Sequence, residues 1–190
     1  MILIPILLML NVFVEPPACS GGATEVPDYL SWWPGLFVRS GEEIVDAPEA
    51  DQQIARGYPF QEDRGEVIDG RRMTIMSAPG PYRAGEEIRI IHVVEAPDPG
   101  WLVYVMGPKQ VFGEYLDGIL VTDPVPGWED PFVPECYDGA VLESPAVDYN
   151  YDITSYVLSE PGIHEIRWIM DGWESNVLLI EVFPDTTAFI

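Results

Sequence analysis

Residues 151–182 read YDITSYVLSEPGIHEIRWIMDGWESNVLLIEV, and two turn signals divide them. Glu160-Pro161-Gly162 interrupts the first apolar run and Asp171-Gly172 the second. Proline fixes φ and glycine supplies the positive φ a reversal needs, so each group predicts a turn. The runs they separate, Tyr149–Leu158, Ile163–Met170 and Val177–Phe183, have strand length and are rich in β-branched and aromatic residues. In the last run Leu178, Ile180 and Val182 share one face at a period of two. This half of the chain therefore reads as all-β.

The same grammar extends upstream to residue 73. Met73–Ser77 is a short strand closed by Ala78-Pro79-Gly80-Pro81. In Glu86–Glu95 the residues Ile88, Ile90, His92 and Val94 fall on one face, with Glu87, Arg89 and Glu95 on the other. Pro97-Asp98-Pro99-Gly100 then turns the chain, and the nearly all-apolar Trp101–Met106 predicts a central strand covered on both faces. Val111–Tyr115 and Ile119–Thr122 read as a hairpin about Asp117-Gly118, and Asp123–Pro145 as a long loop. About seven short strands with almost no helical period predict an antiparallel β-sandwich over residues 73–184, followed by a tail at 185–190. Residues 19–72 form an irregular extension of Pro, Gly and acidic clusters. Its patch Tyr29–Val38 is too apolar for a free linker and is expected to pack on the sandwich or add a strand to it. Within it PEADQQIAR, residues 48–56, predicts a short helix, with Pro48 in the first turn and acids leading.

The run Tyr151–Val182 resembles the last strands of bacterial immunoglobulin-like and fibronectin-like domains. There, a strand ending in Leu is followed by Pro-Gly, an aromatic-bearing strand, a two-residue turn, Ser-Asn and an apolar strand ending Glu-Val. GEEIRIIHVVEA, residues 85–96, looks like the Gly-Glu-initiated strand that begins such domains. The resemblance implies an immunoglobulin-like antiparallel β-sandwich. It implies no activity, because the architecture serves unrelated functions. It also puts His164 where a tyrosine normally ties a loop to the sheet, and Ile166 where the second cysteine of the inter-sheet disulfide would stand. The core then relies on apolar packing, with Trp101 and Trp168 expected at its centre.

Residues 1–22 read MILIPILLMLNVFVEPPACSGG. From Ile2 to Val14 the only polar residue is Asn11. That run has the length of a signal-peptide apolar region and is too short to span a bilayer. Residues 1–18 are therefore expected to be a signal peptide. Ala18-Cys19-Ser20-Gly21-Gly22 resembles a lipoprotein signal, which implies lipid attachment at Cys19, a membrane contact made only through that lipid, and a cell-envelope location. The alternative is a secreted chain in which Cys19 and Cys136, the only two cysteines, form a disulfide. The formal net charge of −23 repels nucleic acid and anionic lipid, so neither is an expected partner.

Two candidate sites stand out. Asp148, Asn150 and Asp152 place oxygens at alternate positions, as the opening of a calcium loop does, although Ile153 stands where that loop needs glycine. Calcium is the one cofactor this pattern suggests. Trp128, Phe132 and Tyr137 fall in the long loop, where rings stack on sugars or peptide side chains. No catalytic residue is assigned: no G-x-S-x-G motif occurs, and no spacing singles out a pair of carboxylates. Cys136 lies in the acidic VPECYDG, which raises a thiol pKa instead of activating it. The expectation is a non-catalytic binding or structural domain whose partner is a protein or glycan. A proteinase-inhibitor-like sandwich and a glycan-binding module are the alternatives.

Overall fold

The computed structural model describes residues 26–127, 130–133 and 139–185. The expected signal peptide, Cys19, Trp128, Cys136 and Tyr137 lie outside them. The extension opens with the short helix α1 (Asp28–Ser31), then the hairpin of β1 (Phe37–Ser40) and β2 (Glu43–Asp46). Helix α2 (Glu49–Arg56) follows, as its sequence predicts. Pro48 caps it, Glu49 and Asp51 occupy the positive first turn and Arg56 the negative last one. A 3₁₀ turn at Tyr58–Phe60 leads into the sandwich.

The sandwich strands are β3 (Arg72–Met76), β4 (Tyr82–Arg83), β5 (Glu87–Ala96), β6 (Leu102–Val105), β7 (Glu114–Leu116), β8 (Ile119–Leu120), β9 (Ala140–Glu143), β10 (Ala146–Asp148), β11 (Thr154–Val157), β12 (Gly162–Met170), β13 (Trp173–Glu174) and β14 (Leu178–Phe183). In the first sheet β5 is central, with β3, β10 and β11 paired antiparallel to it. The second sheet runs β4-β14-β12-β7-β8. All its pairings are antiparallel except β4 with β14, which is parallel. The fold is an all-β sandwich.

Period-two patterning explains the core. Ile88, Ile90 and Val94 on β5 face Ile166, Trp168 and Met170 on β12 and Ile180 and Val182 on β14. Trp168 is fully buried, its indole N–H donating to the Phe112 carbonyl at 2.9 Å. The Asp-Gly turns Asp69-Gly70, Asp117-Gly118 and Asp171-Gly172 all have positive φ at both residues, the geometry a tight hairpin requires.

The extension does pack on the sandwich. Leu30, Leu36, Ala47, Ala55 and Tyr58 form a second apolar cluster with Ile91, Val93 and Val147, on the outer face of the first sheet. The polar residues of that face are used there as well. Arg89 reaches Asp51 of α2 at 2.8 Å, and Glu95 reaches the Tyr58 hydroxyl. Among the described residues the strands of the extension pair with each other and not with the sandwich.

Four expectations are corrected. Asp123–Pro145 is not loop throughout, because β9 lies within it and pairs with β6. Residues 101–106 are not a doubly covered central strand. β6 pairs only with β9 among the described residues, and its burial alternates, with Leu102 exposed and Val103 and Val105 buried. Trp101 lies half-buried beside that ladder and outside the central core. Residues 149–158 are not one strand. β10 and β11 pair with different stretches of β5, and five residues, 149–153, bulge out between them.

Candidate functional site

The bulge holds the residues expected to bind calcium. Asp148 is fully buried, and its Oδ1 accepts the Asn150 N–H at 2.9 Å, a local turn that throws the backbone off β5. The displaced segment bonds to Lys109 instead: the Lys109 N–H donates to the Asn150 carbonyl at 2.9 Å, and the Asp152 N–H to the Lys109 carbonyl at 2.7 Å. The Lys109 ammonium then sits 2.7 Å from Asp148 Oδ2, 3.0 Å from the Tyr151 hydroxyl, 3.1 Å from the Tyr104 carbonyl and 4.1 Å from the Tyr151 ring centroid. Burial opposes the charge, but Asp148 and Tyr151 outweigh it and hold the ammonium above its ordinary range. Of the three residues expected to hold calcium, only Asp148 directs a side-chain oxygen at a cation, and that cation is the Lys109 ammonium. Among the described residues no group of three or more His, Cys, Asp or Glu is placed to hold a metal ion.

The other buried charges follow the same rule. The Glu95 carboxylate accepts from the Tyr29 and Tyr58 hydroxyls and lies 3.2 Å from Arg72 and 3.6 Å from Arg64. Burial first, and then Glu95, push the Tyr58 phenol well above its ordinary pKa, so it stays a donor. Between the sheets His92 Nε2 stands 3.0 Å from Glu114, which also accepts from Tyr156. Burial works against the Glu114 charge, yet His92 and the Tyr156 hydroxyl lower its pKa overall. Arg71 makes two hydrogen bonds to Asp130, at 2.8 and 2.6 Å, and its guanidinium lies between the rings of Trp101 and Phe132. Phe132 is thus a buried core residue against Arg71 and Trp173, not an open stacking platform. Each of these networks joins segments distant in the chain, and each buried charge is matched by its neighbour.

His164 joins two turns. Its Nδ1 lies 2.7 Å from Asp117 Oδ2 and its Nε2 2.9 Å from the Glu160 carbonyl. Both ring nitrogens face acceptors, which favours the doubly protonated imidazolium. The Asp117 hydrogen bond and then the Glu160 carbonyl raise the His164 pKa. The backbone N–H of Glu165 and then His164 lower that of Asp117. The ring ties the β7–β8 turn to the β11–β12 turn.

An open groove lies along β14. Asn176 first stitches the sheets together, its carboxamide accepting the Ile75 N–H at 2.9 Å and donating to the Ile75 carbonyl at 3.1 Å. Beyond that clamp the chain from Met76 to Tyr82 crosses from the first sheet to the second, and a groove of about 620 Å³ opens between it and Leu178–Glu181, with Ile54 and Gln61 on its wall. β4 covers β14 only at Val182 and Phe183, so among the described residues no strand pairs with the outer edge of β14 at 178–181. A second depression of about 370 Å³, lined by Phe183 and Pro184, shares Pro81 and Tyr82 with the groove. No motif in the sequence marks this place. It arises because β4 is only two residues long. That brevity follows from the Pro-Gly-Pro turn just before it, and is the signal that was available.

Comparison with family models, curated proteins and solved structures finds no match to this chain. Its function must be argued from its own residues.

Proposed function

We propose that this chain is a non-catalytic domain displayed outside the cytoplasm, anchored by lipid at Cys19, that acts by binding a partner. The observation that carries the binding part is the disposition of polar groups. The buried charges Asp51, Arg71, Glu95, Lys109 and Asp148 each contact an oppositely charged side chain inside the fold, and Glu114 is held by His92 and the Tyr156 hydroxyl. A general acid, base or nucleophile needs its reactive atom free to meet substrate. What the surface offers instead is a groove beside a bare strand edge, which suits recognition.

We read the sandwich as immunoglobulin-like. Its first strand is split between the sheets, β3 on β5 and β4 parallel to the last strand β14, and the order β4-β14-β12-β7-β8 supports that reading. The display part rests on the apolar run 2–14 closing at Ala18-Cys19-Ser20, followed within a few residues by the packed extension from Val26. Mass spectrometry of the membrane fraction tests it. The expected result is a mature chain that begins at a lipid-modified Cys19. Recovery of an intact Met1 overturns export, and an unmodified Cys19 overturns the anchor.

A further inference from the structure

The outer face of the second sheet has a mixed character that continues to its free edge. Along β14 the outward residues are Leu179, Glu181 and Phe183, of which Leu179 is 66% exposed. Across the ladder Glu165 stands opposite Leu179, and Ile163, 70% exposed, opposite Glu181. Apolar and acidic side chains therefore alternate both along β14 and across to β12. An added strand at Leu178–Glu181 meets this pattern directly, since neighbours in a ladder pair face to face.

We infer that the edge of β14 at Leu178–Glu181 receives an extended segment of another protein, added as a further strand and carrying Lys or Arg at alternate positions. The backbone hydrogen-bonding groups along an unpaired edge give such a segment its anchorage. Its outward side chains set the specificity: a cation beside Glu181, and beside Leu179 a Lys or Arg whose aliphatic stem lies over that side chain. Its inward side chains are apolar and enter the groove toward Ile54, Met76 and Tyr82. Charge selects this occupant. With a net charge of −23 the chain attracts a basic segment from a distance and disfavours a second copy of itself on the same edge. The bare stretch spans four residues, so the contact is a weak, reversible one. This inference rests on the reading of the chain as a binding domain and names the kind of partner.

The test uses the full chain, ¹⁵N-labelled, titrated with the acetylated, amidated peptide KVKVKV. The controls are the same peptide N-methylated at every second residue, which blocks strand pairing, and its counterpart EVEVEV. Expected are saturable amide shifts at 178–181 and 76–82, slowed hydrogen exchange at the edge, and loss of both with the methylated peptide. Glu181→Lys, an exposed substitution, is expected to weaken KVKVKV about fivefold and to favour EVEVEV, the scale of a surface charge reversal. Shifts spread over the acidic surface and retained by the methylated peptide overturn the inference. So do shifts confined to the β1–β2 hairpin, or none at millimolar peptide. Labelling of Cys19 is read independently, so failure here leaves display standing.

Discussion

The two sheets of the sandwich have outer faces built on the same alternation, and they end differently. On the first sheet Ile91 and Val93 of β5 are fully buried beneath Leu30, Leu36 and Tyr58 of the extension. On the second, Ile163 and Leu179 lie open. The difference does not come from the strands, which carry apolar and charged residues outward in both cases. It comes from whether the rest of the chain has a complement to offer. On the covered face Glu95 meets two tyrosines and Arg72, and Arg89 meets Asp51. On the open face Glu181 and Leu179 have no such cover. An outward charge therefore does not by itself mark a solvent face. On the first sheet it marks an internal contact with the extension and its neighbours.

The largest expected effect lies in the bulge that carries Tyr149 to the covered face and Tyr151 to the core. Lys109→Met leaves Asp148 buried without its cation and is expected to cost about 3–5 kcal/mol in urea denaturation. Replacing Asp148 as well, by Leu, is expected to recover much of that loss. A double variant as unstable as the single one would show that the ion pair is not what holds the bulge.

Glu95→Ala comes next, at about 3 kcal/mol, because Arg64 and Arg72 are partly exposed and recover hydration. It is also expected to loosen the extension, read as faster proteolysis between residues 26 and 70 while the sandwich survives. Unchanged cleavage there would mean that apolar contacts alone hold the cover in place.

The smallest effect concerns the His164 corner. Its folded pKa is raised, so its stabilisation is complete below the unfolded value of about 6.5 and is lost as pH rises through the folded value. Asp117 has a lowered folded pKa, so its share is present above about 3.9 and is lost as pH falls through the depressed value. The melting temperature of the native chain is expected to exceed that of His164→Gln most between these limits, with the gap closing above neutral pH. A gap that stays constant to pH 9 would show the ring to be neutral throughout.

Much of the architecture was legible because its signals are local. The helix at 49–56, the strands β5, β12 and β14 and the Asp-Gly turns follow from capping, alternation and positive φ, which neighbouring residues decide among themselves. The failures share one cause. The run 149–158 has strand composition throughout, but Lys109, some forty positions upstream, draws the backbone at 150–152 off the ladder. Residues 101–106 are apolar enough for a central strand, yet among the described residues they find only β9 to pair with. The hairpin of β1 and β2 has Gly41 at its turn but no alternation to announce it, since its adjacent Ile44 and Val45 are both exposed. As for sites, Phe132 looked like a loop aromatic until Arg71 and Trp173 were seen to enclose it. The groove has no motif of its own, since it is defined by what β4 does not reach; its one signal is the turn Pro79-Gly80-Pro81 that keeps β4 short.

The contrast between the covered face and the open face can be measured in one paired experiment, the urea denaturation of Ile91→Ala and Leu179→Ala. Both remove an aliphatic side chain from the outward face of a strand. Ile91→Ala is expected to cost about 2–5 kcal/mol, the range for a buried aliphatic residue. Leu179→Ala is expected to fall within about 0.5 kcal/mol of the native chain, as exposed substitutions do. Comparable losses for the two would contradict the account, either by showing that the extension does not seal the first sheet or that something within the chain already covers the second.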